Sequence, residues 1–341
     1  MSRPAGRARR ISRRAAGGGA MVAAGVALLL ALAAAWTYAG PGPRAASGEA
    51  TTVVLARGSG LAAIGRTLEE AGVVTSAGLF TLAARLTGAA SSLKAGEYEF
   101  ASGAPMSRVL ADIRAGKVVR RSVTIPEGWT SGMVVDALNA EPALSGALAE
   151  PPEGAILPDT YDFQRDEPRE AVIARMRAAH DRVLAELWAR RQPDLPLKTP
   201  YEAVILASVV EKETGVAAER PRVAAVFVNR LRIGMPLQSD PTIIYGLTRG
   251  RPLGRGIRAS ELAGDTGYNT YRIPGLPPTP IANPGREALA AVLDPPRSDE
   301  LYFVADGTGG HAFATNYPDH QKNVDRWRAI ERERAAAAAG K

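Results

Sequence analysis

The chain has 341 residues, 46% hydrophobic and 6% aromatic, enough for a membrane segment and two folded units without metal or disulfide staples. Its formal net charge of +7 is concentrated in Arg3, Arg7, Arg9, Arg10, Arg13 and Arg14; without them 36 basic residues face 35 acidic ones, so the remainder lacks the basic footprint that nucleic-acid binding requires. There is no cysteine, which excludes a disulfide framework and thiolate chemistry.

In chain order, residues 1–19 form a basic arm with no acid, and residues 20–39 run without a charge through Val22, Val26, Leu28, Leu29, Leu30 and Leu32. Twenty apolar residues at helical rise match the hydrocarbon thickness of a bilayer. The positive-inside rule keeps the arm cytoplasmic and sends everything after Gly40 across the membrane, with Trp36 and Tyr38 at headgroup level. A cleavable signal peptide ending among Ala33, Ala34 and Ala35 is the alternative, and the full spanning length favours a retained anchor. The rest of the chain is expected in the periplasm or outside the cell, with a single pass through the inner membrane.

Residues 40–50, with Pro41, Gly42, Pro43 and Gly48, read as a linker. Residues 51–121 read as a small α+β module: a strand at 51–55, helices at 61–71 and 77–86, a strand at 96–100, and a helix at 107–115 capped by Ser107. A second folded unit is expected at 122–330. It opens with a strand at 122–125, a Pro126-Glu127-Gly128 turn and a helix capped by Thr130 or Ser131; a charged helix follows at 168–191. Two helical segments begin at Tyr201, and a Gly/Pro/Asn/Thr-rich stretch at 234–284 reads as a long loop of the kind that carries function. Residues 331–341 form an alanine-rich tail.

Residues 201–214 raise the question of which carboxylate points inward. At about 100° per residue, with Val204 at zero, Ile205, Leu206, Val209 and Val210 define an apolar face near 170°. Glu213 falls at about 180° on that face, and Glu211 at about 340° on the side of Ser208. A carboxylate at the end of an apolar stripe is desolvated, which raises its pKa and suits a general acid. The alternative is that Glu213 pairs with Arg220 or Arg222, or frays into solvent near Gly215.

The ordered strings Val209-Val210-Glu211-Lys212-Glu213-Thr214, Val226-Phe227-Val228-Asn229-Arg230-Leu231-Arg232-Ile233-Gly234-Met235, Gln238-Ser239-Asp240-Pro241-Thr242, Tyr268-Asn269-Thr270-Tyr271, Gly275-Leu276-Pro277-Pro278 and Leu301-Tyr302-Phe303-Val304-Ala305-Asp306, followed by His311, resemble the MltG-type, YceG-like endolytic murein transglycosylases. The resemblance extends to the anchor and to Leu157-Pro158-Asp159-Thr160-Tyr161. It implies an α+β protein with an N-terminal transmembrane helix, a LysM-like module, and a mixed α+β catalytic domain whose active-site helix is lysozyme-like or cortex-lytic in type. It also implies that Glu213 is catalytic, with Glu211 as the less favoured candidate, and that peptidoglycan glycan strands are cut internally to leave 1,6-anhydro ends, which limits strand elongation.

Such a transglycosylase needs one carboxylate, because the sugar's own C6 hydroxyl is the nucleophile, whereas glycoside hydrolases need two. Gln238, Asp240, Tyr268, Asn269, His311 and Asn316 are candidates to hold the sugars, each with loop bracing as the alternative; Asn229 is a candidate of either kind. Asp240 within reach of Glu213 would make a two-carboxylate hydrolase credible. His180, His311 and His320 do not form a ligand spacing, so neither a metal nor another cofactor is expected. The expected partners are glycan strands and the membrane, with wall-synthesis proteins met through the anchor or arm, and no nucleic acid. A non-catalytic peptidoglycan-binding scaffold is a further reading.

Overall fold

The structure, a computed structural model, describes residues 8–339 and the side-chain surroundings of residues 21–337; Arg3 and Arg7 of the basic arm lie outside the described residues. The protein is mixed α+β and divides into two compact units, Met1–Arg121 and Ser122–Lys341.

In the first unit, helix α1 (Ala8–Ala39) contains Met21–Ala39, a largely exposed segment of mean hydropathy 1.9 that is long and apolar enough to cross a membrane. Strand β1 (Ala50–Leu55) pairs antiparallel with β2 (Gly96–Ala101), and helices α2 (Leu61–Glu70) and α3 (Ala77–Leu86) form the connection between them. Period-two alternation sends Val53, Leu55, Tyr98 and Phe100 to the same side, where Leu68, Phe80 and the helix α4 (Met106–Ala115) close the core. The buried Tyr98 hydroxyl donates to the Lys94 carbonyl at 2.7 Å, so the aromatic core leaves no phenol unsatisfied.

Two expectations change here. Ser107 is not a cap: Pro105, extended at φ −61°, is the N-cap of α4, and Ser107 lies inside the first turn. Residues 40–50 are not a free linker either. Gly42 N–H donates to the Gly103 carbonyl at 3.0 Å, Gly103 N–H to the Pro43 carbonyl at 2.9 Å, and Ala45 N–H to Ser102 Oγ at 3.0 Å. Gly42 is required there, since a Cβ would come within 2.1 Å of the Ala104 carbonyl oxygen.

The second unit begins with β3 (Arg121–Thr124), which pairs with β5 (Thr160–Phe163), and α5 (Ser131–Ala140), whose cap is Thr130, accepting from Met133 N–H. The short strands β4 (Leu144–Ser145) and β6 (Glu167–Pro168) pair in parallel ahead of α6 (Arg169–Ala189). Ile156, Phe163, Val172, Ile173 and Met176 make a small core at this end.

The main core surrounds α7 (Pro200–Glu213), which packs on α8 (Arg220–Arg232) and α11 (Arg286–Leu293). Thr199 caps α7 by accepting from Glu202 N–H at 3.2 Å, and Pro200 occupies the first turn, where no N–H is needed. Every residue from Ala203 to Val210 is buried, so α7 is covered on all sides rather than on one apolar face.

Residues 234–284 are not one loop. Helix α9 (Asp240–Thr248) and the short α10 (Ala259–Leu262) fall within it. The start signal was present, because Asp240 and Pro241 stand at the first positions after Ser239 and precede the apolar Ile243 and Tyr245. The hairpin β7 (Tyr302–Ala305) and β8 (His311–Ala314) leads to α12 (Tyr317–Ala339), which continues through the alanine-rich residues read as tail, alanine being the best helix former.

Candidate active site

Glu213 ends α7 half-buried, beyond the stripe of Val209 and Val210. The alternative of an ion pair to Arg220 or Arg222 does not hold for it: Arg220 approaches Glu211 at 3.5 Å, and Arg222 pairs with Glu300. Glu213 Oε1 instead accepts a hydrogen bond from the Ser239 hydroxyl. Loss of hydration pushes the Glu213 carboxyl up to about 7; Ser239 works against this, the negative Asp240 adds to it, and Arg230 opposes it. A carboxyl poised near neutrality with partial solvent access can both donate and accept a proton at ordinary pH.

Ser239 is held from behind by buried hydroxyls. Its N–H donates to Thr270 Oγ1 at 2.9 Å, its carbonyl accepts from Thr242 Oγ1 at 2.6 Å, and Thr242 and Thr270 are themselves 2.9 Å apart. Gln238, at φ +53°, takes the left-handed conformation that turns Ser239 inward and leaves the Gln238 side chain exposed. Removing the hydroxyl removes a donor that favours the ionised form. Ser239→Ala is therefore expected to raise the Glu213 pKa and move the alkaline limb of the pH–rate profile upward, with the melting temperature nearly unchanged; a limb that stays put would separate Ser239 from the acid.

Arg230 is almost fully buried on α8, where its Nε donates to the Leu301 carbonyl at 2.7 Å and a terminal nitrogen to the Leu237 carbonyl at 2.6 Å. This fixes a positive charge within electrostatic reach of Glu213. Asp240 is at the opposite end of the charge balance, exposed, and accepts from the Tyr271 hydroxyl at 2.8 Å; burial, together with Asp240 and Glu213, pushes that phenol well up. Ser239, Arg230 and Tyr271 were not singled out from the sequence, although all three lie inside the strings that carried the family resemblance.

The remaining candidates divide. Gln238 and Asp240 flank Ser239 and are at the site. Tyr268 packs on Tyr245 with ring centroids 5.0 Å apart and shares a hydrogen bond with Thr279 at 2.9 Å. Asn269 is fully buried and is a loop brace, its Nδ2 donating to the Leu262 and Gly264 carbonyls at 2.8 and 2.7 Å, its Oδ1 accepting from Tyr271 N–H. It positions Tyr271 and has no amide group left to offer a sugar. Asn316 accepts from Asp319 N–H at 3.0 Å and starts α12 as a cap. His311 Nδ1 lies 2.8 Å from Glu219 Oε2, and its backbone N–H donates to Glu219 Oε1 at 2.9 Å, so it ties β8 to the start of α8. None of these contacts reaches Glu213. Asn229 donates to the Ser298 and Glu300 carbonyls at 2.6 and 3.1 Å, a structural role.

Glu211 lies on the side of Ser208, opposite the apolar face, yet that side is covered too: its side chain is only 5% exposed. Its Oε2 accepts from Gly285 N–H at 2.9 Å, and Arg220, whose Nε is buried without a partner, lies 3.5 Å from Glu211 and from Glu127. Burial raises its pKa, with Gly285 opposing. Next to it, Lys212 Nζ donates to the Gly128 carbonyl at 3.2 Å. These contacts clamp the end of α7 from the side opposite Ser239. A further buried carboxylate, Glu153, accepts from Ser131 N–H at 2.8 Å and Tyr245 Oη at 3.1 Å, and fastens the start of α5 to α9. A cavity of about 540 Å³ on the same unit is lined by Gln192, Asn229, Arg232 and Arg297 and does not include Glu213.

The sequence profile of the YceG-like family matches residues 53–326. A Streptococcus pneumoniae serotype 2 protein named endolytic murein transglycosylase is 32% identical over 323 residues, an alignment taking in 80% of this chain and 57% of that protein. The chain thus spans little more than half the length of that relative. A Bacillus subtilis protein of the same name is 26% identical over 309 residues, with 81% of this chain and 84% of the other covered. The crystal structure of a yceG-like protein from Listeria monocytogenes superposes with a TM-score of 0.50 at 29% identity, covering 81% of this chain and 99% of that one.

Proposed function

The chain belongs to the YceG-like family, and on that premise we propose that it is a membrane-anchored endolytic murein transglycosylase with Glu213 as its acid and base. The observation that carries the reading is a single half-buried carboxyl poised near pH 7 among a serine hydroxyl, a fixed arginine and an aspartate.

Glu213 first protonates the glycosidic oxygen between N-acetylmuramic acid and the following N-acetylglucosamine, which lets the C1–O bond break and C1 take up positive charge. The carboxylate left behind then removes the proton of the C6 hydroxyl of the same muramic acid as that oxygen closes on C1. No water enters, atoms balance, and Glu213 ends protonated for the next cycle. Asp240 and Tyr271 line the same site and are assigned to the oxocarbenium charge and the sugar hydroxyls, with Gln238 exposed beside them; Tyr268 is set one layer behind.

The β1–α2–α3–β2 unit is read as the LysM-like, sugar-gripping module, and α7 as the lysozyme-like or cortex-lytic type of active-site helix. Helix α1 crosses the inner membrane with its amino end in the cytoplasm, so that cutting takes place on strands near the membrane surface and limits their length. Wall-synthesis proteins are proposed as neighbours.

The test is product chemistry. The full chain in detergent, given purified glycan strands, is expected to yield fragments one water lighter than hydrolytic ones, starting with mid-length pieces rather than terminal disaccharides. Asp240→Asn separates the two enzymatic readings. Removing a like charge lowers the Glu213 pKa, so the alkaline limb moves down while anhydro products persist. A hydrolase using Asp240 as its second carboxylate would lose activity as completely as a Glu213 variant, and its products would carry the added water.

A further inference from the structure

Helix α3 keeps an apolar face uncovered. Leu82 is 50% exposed and Leu86 is 78% exposed, one turn apart, and with Leu79 they line a groove whose other wall is Ala34, Ala35 and Tyr38 of α1. Two adjacent leucines of this exposure on a small module are an unpartnered surface, not scattered surface residues.

The chain between α1 and the module holds that groove in place. Gly40 N–H donates to the Trp36 carbonyl at 2.7 Å, the Gly42–Gly103 and Gly103–Pro43 bonds follow at once, and Tyr38 packs against the module's core. The module is thereby fixed beside the last turns of α1 instead of hanging from a tether. Ala34 precedes Ala39 by five residues, about 7 Å along the axis. If the end of α1 stands at headgroup level, Leu82 and Leu86 stand level with the top of the acyl chains. That matches the depth of about 5–10 Å at which interfacial helices bury their apolar side. Arg85 on α3 and Arg114 on α4 are placed to meet the phosphates of phospholipid headgroups beside this face, and Trp36 at 72% exposure completes an interfacial belt.

We propose that α3 is a membrane seat: through Leu79, Leu82 and Leu86 it rests in the outer interface of the same bilayer that α1 crosses, with phospholipid as the occupant of the groove. The proposal rests on the reading of α1 as a retained anchor. The seat holds the module flat on the surface, which restricts the strands it meets to those emerging next to the membrane.

The absence of cysteine allows a direct test in the full chain. Single-cysteine variants Leu29→Cys, Leu82→Cys, Leu86→Cys and Glu70→Cys carry an environment-sensitive fluorophore in vesicles of phosphatidylethanolamine and phosphatidylglycerol. Quenching by doxyl-labelled lipid is compared with quenching by aqueous iodide. Positions 29, 82 and 86 are expected to lose about half their fluorescence to the lipid quencher, and position 70 only to iodide. Lipid quenching at 29 with iodide quenching at 82 and 86 overturns the seat while leaving the anchor. No lipid quenching at 29 overturns the anchor, and the seat with it. Shielding of 82 and 86 from both quenchers means a second copy covers the face, which also overturns the proposal. Both leucines are exposed enough that the substitutions leave folding intact.

Discussion

Glu213→Gln is expected to lower glycan-strand cleavage by about 10²- to 10⁴-fold, the range for removing a general acid or base, without harming the fold. The stability of this variant carries a sign that follows from burial. The folded-state pKa of Glu213 is raised to about 7 from the ordinary glutamate value of 4.5. Between those values the folded protein binds more protons than the unfolded chain at this site, so the carboxyl costs stability as pH rises through the window. Below it the penalty is absent, and above it the penalty is constant. Glutamine carries no such penalty, and its amide oxygen still accepts from Ser239. The variant's melting temperature is therefore expected to match that of the wild type below about pH 4 and to exceed it at pH 8, with a slope difference approaching ~1.4 kcal/mol per pH unit within the window. Wild-type activity should fall above about pH 7 as the acid ionises. Melting curves that stay parallel across this range would refute the desolvated acid.

Glu211→Ala acts through the fold. It leaves Gly285 N–H unpaired and strands the buried Arg220 with Glu127 alone at 3.5 Å. Breaking a buried pair in this way costs about 3 kcal/mol. Thermal unfolding should register that loss, and activity should return on cooling. Glu211→Gln keeps an acceptor for Gly285 and is expected to cost about 1 kcal/mol, with the alkaline limb of the rate profile where it was. The opposite pattern, with Glu211→Gln inactive yet fully stable, would move the acid from Glu213 to Glu211. The two glutamates are two residues apart on one helix, and only paired measurements of rate and stability distinguish a chemical role from a clamping one.

All three variants depend on how a single helix is surrounded, and that separates what was legible in the sequence from what was not. The inward direction of Glu213 follows from helical geometry, because the phase of Val209 and Val210 sets the phase of a residue three or four positions on. The apolar span of α1, the strands at 51–55 and 96–100 with two helices between them, and the Thr130 cap likewise rest on local periodicity and capping chemistry, which neighbouring residues determine.

The burial of Glu211 could not be read in this way. A helical wheel reports the side of the helix, not what covers it, and here Gly285, Arg220 and Glu127 cover the side that carries few apolar residues. Asn269, Asn316 and His311 show the same limit from another direction. An amide or imidazole that grips a sugar and one that caps a helix or ties down a loop are the same chemical group, and the difference lies in whether a carbonyl, N–H or carboxylate from elsewhere in the chain already occupies it.

By itself the sequence determined the apolar span of α1, the family strings, the helix that carries Glu213 and the face on which that carboxyl falls, all consequences of short-range spacing. The tertiary structure alone decided that Ser239, Arg230 and Asp240 set the proton affinity of Glu213, since desolvation and Coulomb interaction depend on distance in space, and these residues are brought to the end of α7 by the packing of α8 and α9.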